Sequence, residues 1–174
     1  MSEAITILVT DDDPHIVWLM TEILRQAGYK VLQASNGRGC LEALKAHHPD
    51  IALLDVMLPD TTGLQLCKQI KADETLQDIF VILLSGVHVS SDYQAEALNS
   101  GADGYIVKSI SNEELLARVQ SVVRVKRMVD DLREKEQEQQ RLIEKLQEAL
   151  AEIKLQEGFV PESMLSTIIK KRTT

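Results

Sequence analysis

Short apolar runs alternate with amphipathic segments over the first 125 residues of the chain. The runs are rich in aliphatic and β-branched residues and are almost uninterrupted by polar ones, which is typical of strands buried on both faces of a parallel sheet. They predict five strands, at Ile5–Val9, Val31–Ala34, Ile51–Leu54, Phe80–Leu84 and Gly104–Val107. Neighbouring parallel strands need a crossover segment between them, so a helix is expected after each strand.

Apolar residues at helical spacing follow every predicted strand. The helices predicted from this spacing are His15–Ala27, Gly39–His47, Gly63–Ala72, Ser91–Ser100 and the segment from Asn112 onward. Gly28 is a natural C-terminal stop for the first helix. Ser111 and Glu114 form a capping-box pattern before the last one. Five strand-then-helix units predict a doubly wound α/β fold with right-handed crossovers.

The last predicted helix has no stop signal, because neither Gly nor Pro occurs between Asn112 and Glu157. Its apolar residues recur alternately three and four positions apart, at Val122, Val125, Val129, Leu132, Ile143, Leu146, Leu150 and Ile153. This heptad seam predicts a coiled coil, most simply a homodimer, in which Glu136 and Gln139 weaken the seam and set its register. The alternative is a single solvated helix supported by ion pairs four residues apart.

These patterns divide the chain into three parts. Residues 1–124 form an acidic α/β domain, and residues 125–157 form a helical extension that continues its last helix. Residues 126–174 as a whole carry no net charge. Residues 158–174 could form one short amphipathic helix, but so short a helix cannot build a core. We therefore expect a short tail there, or the truncated linker of a longer protein.

Composition and charge narrow the range of functions. The net charge of -8 argues against direct nucleic-acid binding, which needs a basic surface. The longest apolar run, Ile79–Leu84, is far shorter than the roughly 20 residues of a membrane span. The N-terminal residues do not resemble a secretory signal. Cys40 and Cys67 have no metal-ligand spacing and cannot form a disulfide framework, so a reducing, cytoplasmic setting is expected.

Polar groups follow four of the five predicted strands. They are Asp11, Asp12 and Asp13 after the first strand, Asp55 after the third, Ser85 after the fourth and Lys108 after the fifth. Because ligands of open parallel sheets bind beyond the carboxyl ends of the strands, we expect these groups to form one site. Taken singly, each has a simpler explanation: a helix cap for the three adjacent aspartates, a turn for Asp55 and a solvated surface lysine for Lys108.

The residue types at these positions suit phosphoryl transfer. Carboxylates that converge on one spot repel one another and require a proton or a cation. Oxygen ligands without His or Cys favour a hard cation, Mg²⁺ above all. Lys108 would add a second positive charge and Ser85 a hydroxyl donor. Asp55 could then act as a nucleophile and become an acyl phosphate.

Four stretches of this sequence carry a specific resemblance. They are Ile7–Pro14, Pro49–Gly63, Leu83–Gly86 and Gly101–Lys108. Together they resemble the receiver domain of two-component response regulators, over residues 4 to 124. The resemblance implies a flavodoxin-like sheet with the strand order 2-1-3-4-5.

The resemblance also implies a role for each matching residue. Asp55 matches the phosphoacceptor, Asp12 the direct Mg²⁺ ligand, Asp11 its water-bridged neighbour, Met57 the ligand that acts through its backbone carbonyl, Lys108 the phosphate-binding lysine, and Ser85 and Tyr105 the switch pair. The implied cofactor is Mg²⁺. The implied donor is a phosphohistidine on a sensor histidine kinase or phosphotransfer protein. The chain would then be a signalling module rather than an enzyme, with at most slow self-dephosphorylation.

One position departs from the family pattern. Receivers usually have Pro after the lysine, joined by a cis bond, whereas this chain has Ser109. A cis bond before a residue other than proline costs about 2.5–4 kcal/mol. Either the Lys108–Ser109 bond is trans and holds the lysine differently, or the strain is retained.

Two other functions fit the sequence less well. A Mg²⁺-dependent phosphatase could use Asp11 as its nucleophile with Asp13 as the second acid, but Asp55 would then have no role. A flavin or nucleotide site is disfavoured because three aspartates would repel a phosphate.

For a receiver, the signal would pass through the face made by the fourth helix, fifth strand and fifth helix into the coiled coil. It would end at a partner protein or a missing effector domain.

Overall fold

A five-stranded parallel sheet forms the centre of the protein. The computed structural model describes residues 4–86 and 99–156. The strands are β1 (Thr6–Thr10), β2 (Lys30–Ala34), β3 (Ile51–Asp55), β4 (Phe80–Ser85) and β5 (Gly104–Val107). They lie in the order β2-β1-β3-β4-β5, and every neighbouring pair is parallel. The doubly wound fold and its strand order are therefore confirmed.

Four helices accompany the sheet in the described residues. They are α1 (Pro14–Gln26), α2 (Gly37–His47), α3 (Gly63–Ala72) and α4 (Asn112–Gln156). The helix predicted at Ser91–Ser100 falls almost wholly on residues outside the description, as does the predicted tail at 158–174. The start predicted for α4 is confirmed, since the Ser111 hydroxyl accepts a hydrogen bond from the Glu114 backbone N–H at 3.2 Å.

The core consists of two apolar layers, one on each face of the sheet. Side chains of α2 and α3 pack on one face with the β3 residues Ala52 and Leu54. Side chains of α1 and of the first turns of α4 pack on the other face with Ile51 and Leu53. All five residues of β3 are buried, as expected for the central strand of a sheet covered on both sides. The carboxyl end of β3 therefore lies among the other strand ends.

The chain divides into two compact units, Met1–Arg127 and Met128–Thr174. The helix α4 runs unbroken from Asn112 to Gln156. Beyond the first unit its apolar side chains stand exposed in the single chain, among them Leu132, Ile143, Leu146 and Leu150. None of the described helices combines the length and the apolar character that crossing a membrane requires.

Candidate functional site

The carboxyl ends of four strands bring the predicted polar residues together. Asp55 ends β3 and pairs with Leu84 of β4, and Ser85 ends β4 and pairs with Val107 of β5. The backbone N–H of Lys108 then donates to the Ser85 carbonyl at 2.6 Å. Asp11 follows β1 directly, on the other side of β3. The sheet register thus places an acid, an alcohol and an amine from distant parts of the chain side by side.

Three carboxylates and one ammonium form the centre of the site. Carboxylate oxygens of Asp11, Asp12 and Asp55 all lie within 4.8 Å of one another. Asp11 and Asp55 are buried, whereas Asp12 is exposed. The Lys108 Nζ lies 2.5 Å from Asp11 Oδ2 and 3.0 Å from Asp55 Oδ2. The lysine therefore bridges the two buried acids, while the exposed acid leaves the cluster open to solvent.

The pKa values of the cluster reflect this balance between burial and charge. Burial raises the pKa of Asp55, against the opposing effect of the neighbouring Lys108, and the charge of Asp11 raises it further. For Lys108, burial disfavours the ammonium, but the hydrogen bonds and charges of Asp11 and Asp55 outweigh it and raise its pKa. The ammonium thus stays charged and compensates part of the repulsion between the carboxylates.

Asp13 lies outside the cluster and caps α1. Its Oδ1 accepts a hydrogen bond from the His15 backbone N–H at 2.8 Å, and Pro14 occupies the first helical position. The backbone N–H of Asp13 in turn donates to Asp11 Oδ1 at 3.0 Å. The helix-cap explanation therefore holds for this aspartate. The same turn also orients the carboxylate of Asp11.

The loop between β3 and α3 folds back against β3. Met57 forms an isolated bridge with Thr62, and the backbone of Met57 hydrogen-bonds the Asp55 carboxylate, which lowers the pKa of that acid. The Met57 side chain is 70% exposed, so it is the backbone that faces the site. Gly63 begins α3 so close to β3 that a Cβ there would collide with the Asp55 carbonyl oxygen.

The predicted switch residues lie on adjacent strands. Ser85 is buried at the end of β4. Tyr105 lies on β5 opposite Leu83, and its ring packs against the apolar layer beneath α2 and α3. Its hydroxyl is buried and has no hydrogen-bond partner among the residues described.

The Lys108–Ser109 peptide bond is trans, as are all other peptide bonds in the described chain. Of the two alternatives left by the sequence, the structure adopts the trans bond. The Lys108 side chain nevertheless reaches both buried carboxylates. The departure from the family pattern at Ser109 thus changes the backbone but leaves the lysine in the cluster.

Two features near the site escaped the sequence analysis. Thr10 is fully buried beside Asp11, and its hydroxyl has no hydrogen-bond partner among the described residues. Burial raises the pKa of the Cys40 thiol to about 11. Such a thiol stays protonated and is a poor nucleophile. The Asp60 carboxylate accepts hydrogen bonds from the backbone N–H groups of Gly37 and Arg38 at 2.8 and 2.9 Å. These two hydrogen bonds join residues more than twenty positions apart, so no local sequence pattern predicts them.

The donor set of the cluster fits a hard divalent cation. It offers carboxylate oxygens from Asp11, Asp12 and Asp55 at mutual distances suited to one ion. Neither a thiolate nor an imidazole belongs to this group of ligands. Magnesium prefers such oxygen ligands and usually keeps several waters. Asp12 is exposed to solvent, so there is room for these waters on its side of the cluster.

Comparison with known proteins agrees with this geometry. A family model described as "Response regulator receiver domain" matches residues 7–120. The Phosphate regulon transcriptional regulatory protein PhoB of Pseudomonas aeruginosa is 39% identical over 119 residues, which cover 68% of this chain and 52% of that protein. The DNA-binding dual master transcriptional regulator RpaA of Synechocystis is 40% identical over 119 residues, covering 68% and 48%. This chain thus spans about half the length of these relatives.

Solved structures show the same likeness. The chemotaxis response regulator CheY4 of Vibrio cholerae superposes with a TM-score of 0.65 at 28% sequence identity. The match covers 69% of this chain and 99% of that one. The similarity is therefore to a whole receiver of that kind, and it does not extend over the whole of α4.

Proposed function

Since the chain belongs to the response regulator receiver family, we propose that Asp55 accepts a phosphoryl group from a phosphohistidine of a sensor histidine kinase or phosphotransfer protein. The observation that carries this proposal is the position of Asp55 at the end of the central strand, 3.0 Å from the Lys108 ammonium. In the transfer, an Asp55 carboxylate oxygen bonds to phosphorus and the bond from phosphorus to the donor imidazole breaks. The product is an acyl phosphate.

Asp11, Asp12, Asp55 and the backbone carbonyl of Met57 would hold the Mg²⁺ of this site. When bound, the ion offsets the negative charge of the phosphoryl oxygens. Lys108, which contacts two of the carboxylates, would turn to a phosphoryl oxygen once that group is attached. Asp11 and Asp55 thus keep the ammonium next to the point of attack.

Ser85 and Tyr105 are proposed to report the phosphorylated state. The Ser85 hydroxyl would donate to the phosphoryl group from the end of the neighbouring strand. Tyr105 lies on the next strand, with a hydroxyl that is buried without a partner among the described residues. A buried hydroxyl without a partner costs free energy, so a rearrangement that gives it a hydrogen bond is favourable. This suits a side chain that changes position.

We propose three functional parts with the boundaries predicted from the sequence. Residues 1–124 are the receiver, residues 125–157 pair with a second copy as a coiled coil, and residues 158–174 are a tail or a linker to a missing effector. The signal would leave through the face that includes β5 and α4, together with the predicted fourth helix, which lies almost wholly outside the described residues. We place this reaction in the cytoplasm, because Cys40 and Cys67 are free and buried thiols, as suits a reducing compartment.

Phosphatase chemistry with Asp11 as the nucleophile is less well supported by the geometry. Asp11 Oδ1 accepts the Asp13 N–H, and Asp11 Oδ2 is paired with Lys108. Asp13, the second acid of that mechanism, caps α1. That mechanism would lack its second acid, so the chain is proposed to be a phosphoacceptor rather than an enzyme.

The proposal is tested by incubating the protein with acetyl phosphate and MgCl₂ and measuring its intact mass. Wild type should gain the mass of one phosphoryl group, whereas Asp55→Asn should gain none. Asp73→Asn is a control, because Asp73 is exposed and caps a turn away from the cluster. Steady turnover of p-nitrophenyl phosphate by wild type and by Asp55→Asn would favour the phosphatase instead.

A further inference from the structure

The carboxylate of Asp60 joins the loop after the acceptor strand to a different helix. Asp60 lies in the loop between β3 and α3, five residues after Asp55. Its Oδ1 accepts the Gly37 N–H at 2.8 Å, and its Oδ2 accepts the Arg38 N–H at 2.9 Å. Both donors belong to the first turn of α2. One exposed side chain therefore connects two elements that are remote in sequence.

The N-terminus of α2 depends on this contact. The first backbone N–H groups of a helix have no partner within the helix, and the first turn of α2 contains no acidic residue. Asn36 satisfies only the Gly39 N–H, at 2.7 Å. Asp60 satisfies the other two and adds a negative charge at the positive end of the helix. The two N–H groups in turn lower the pKa of Asp60.

Packing reinforces the same contact. Gly37 is so close to the loop that a Cβ there would collide with the Thr61 side chain. The loop is itself closed, because the Leu58 N–H donates to the Thr61 carbonyl at 3.2 Å and Met57 bridges to Thr62. A loop tied in this way moves as a unit. Displacement of Asp60 would therefore displace Met57, whose backbone bonds the Asp55 carboxylate.

We propose that Asp60 is a positioning residue of the phosphoacceptor site: by holding the loop to α2, it fixes the Met57 backbone for Mg²⁺ binding beside Asp55. Asp60 itself does not belong to the group of carboxylates that can share an ion. It acts through the loop. The inference rests on the proposed function, since it concerns the same cation site.

The test measures Mg²⁺ affinity by calorimetric titration with MgCl₂, without a phosphoryl donor, in three variants of the full chain. Asp60→Ala removes both hydrogen bonds, and Asp60→Asn keeps one amide oxygen as an acceptor. Asp73→Ala is the matched control, since Asp73 is also an exposed aspartate that accepts a backbone N–H, that of Thr75 at 2.9 Å. Thermal unfolding of each variant shows that it is folded.

Asp60→Ala should bind Mg²⁺ about tenfold more weakly than wild type, as is common when a group that orients metal ligands is removed. The Mg²⁺ affinity of Asp60→Asn should lie between those of wild type and Asp60→Ala, and the affinity of Asp73→Ala should equal that of wild type. In phosphorylation by acetyl phosphate, the Mg²⁺ concentration for half-maximal rate should rise in Asp60→Ala, while the rate at saturating Mg²⁺ stays near that of wild type. A purely structural role would not separate these two quantities.

Two results would overturn the inference by itself: wild-type Mg²⁺ affinity in Asp60→Ala, or an equal loss of affinity in Asp60→Ala and Asp73→Ala. A wild type that neither binds Mg²⁺ nor gains a phosphoryl group would overturn the proposed function, and this inference with it. The wild-type measurement therefore distinguishes the two failures.

Discussion

At the scale of single residues, the position of Lys108 explains how two buried carboxylates can lie close together. Its ammonium lies between the buried carboxylates of Asp11 and Asp55, where a cation is needed to offset their repulsion. In the proposed function Mg²⁺ serves the same need. The lysine and the ion therefore compete for the same oxygens, and the balance between them can be measured.

Replacing Lys108 with Met should strengthen Mg²⁺ binding and weaken the protein without the ion. The variant leaves two buried carboxylates without their ammonium, so the free energy of unfolding in EDTA should fall by about 3 kcal/mol. Added MgCl₂ should restore most of that loss, because an ion that binds only the folded state stabilises it. Thermal or urea unfolding with and without MgCl₂ measures both effects.

Lys71→Met is the control for this prediction, since Lys71 is also a partly buried lysine and pairs with Asp103 at 2.7 Å. The free energy of unfolding of Lys71→Met should fall, and added MgCl₂ should restore little of that loss. Equal recovery of both variants would mean that the ion acts elsewhere on the protein, and the account of the cluster would then be wrong.

Sequence patterns could predict the residues of the cluster but not those that orient them. Asp11, Asp55 and Lys108 directly follow or end apolar strands, and parallel strand ends meet at one edge. Asp60 was missed because its partners, Gly37 and Arg38, lie more than twenty residues away along the chain. Hydrogen bonds of this range depend on the finished packing of helices and loops.

At the scale of elements, the close approach of α3 to β3 sets the position of the backbone at Asp55. Gly63 begins α3 and its N–H donates to the Val56 carbonyl at 2.9 Å. Gly63→Ala should lower the free energy of unfolding by about 1–3 kcal/mol, because the new methyl group meets backbone rather than a flexible side chain. It should also slow phosphorylation, since the Asp55 carbonyl must shift. Urea unfolding and intact mass measure the two effects.

Gly104→Ala is the matched control for Gly63→Ala. A Cβ at Gly104 would make only ordinary contacts with Ile82 and Val122, at 3.6–4.0 Å. Its stability and phosphorylation rate should stay close to those of wild type. If Gly63→Ala were equally well tolerated, α3 would not be packed against β3 as described.

The apolar seam of α4 makes a second prediction at this scale. Leu146 and Leu142 are both 56% exposed in the single chain, but only Leu146 lies on the heptad seam. Leu146→Asp should raise the dimer dissociation constant roughly a hundredfold or more, because two leucine side chains lose their burial. Leu142→Asp should change it far less. Sedimentation equilibrium measures the dissociation constant, and equal effects of the two substitutions would contradict a seam-mediated dimer.

Element boundaries were predicted well where a single local signal sets them. The long helix α4 follows from the absence of Gly and Pro, and its start from Ser111. The helix α2 begins at Gly37, two residues before the predicted start, because Asn36 caps it and Asp60 holds its first turn. Asn36 is a local N-cap signal, whereas Asp60 lies more than twenty residues away and no local pattern indicates it.

At the scale of the whole molecule, the compact unit Met1–Arg127 contains both apolar layers, whose buried members run from Ile5 to Val123. A chain ending at Arg127 should therefore fold and accept a phosphoryl group as fast as the full chain. It should also be monomeric, since it lacks most of the seam. Light scattering and intact mass test both, and a dimeric fragment would place the dimer contact in the receiver.

The most direct test of the account identifies the residue that carries the phosphoryl group. The protein is incubated with acetyl phosphate and MgCl₂, reduced with borohydride, which converts an aspartyl phosphate to homoserine, and digested for peptide mass spectrometry. We expect homoserine at position 55 in wild type, none at position 11, and none anywhere when EDTA replaces MgCl₂. Homoserine at position 11, or labelling at position 55 that persists in EDTA, would contradict the account.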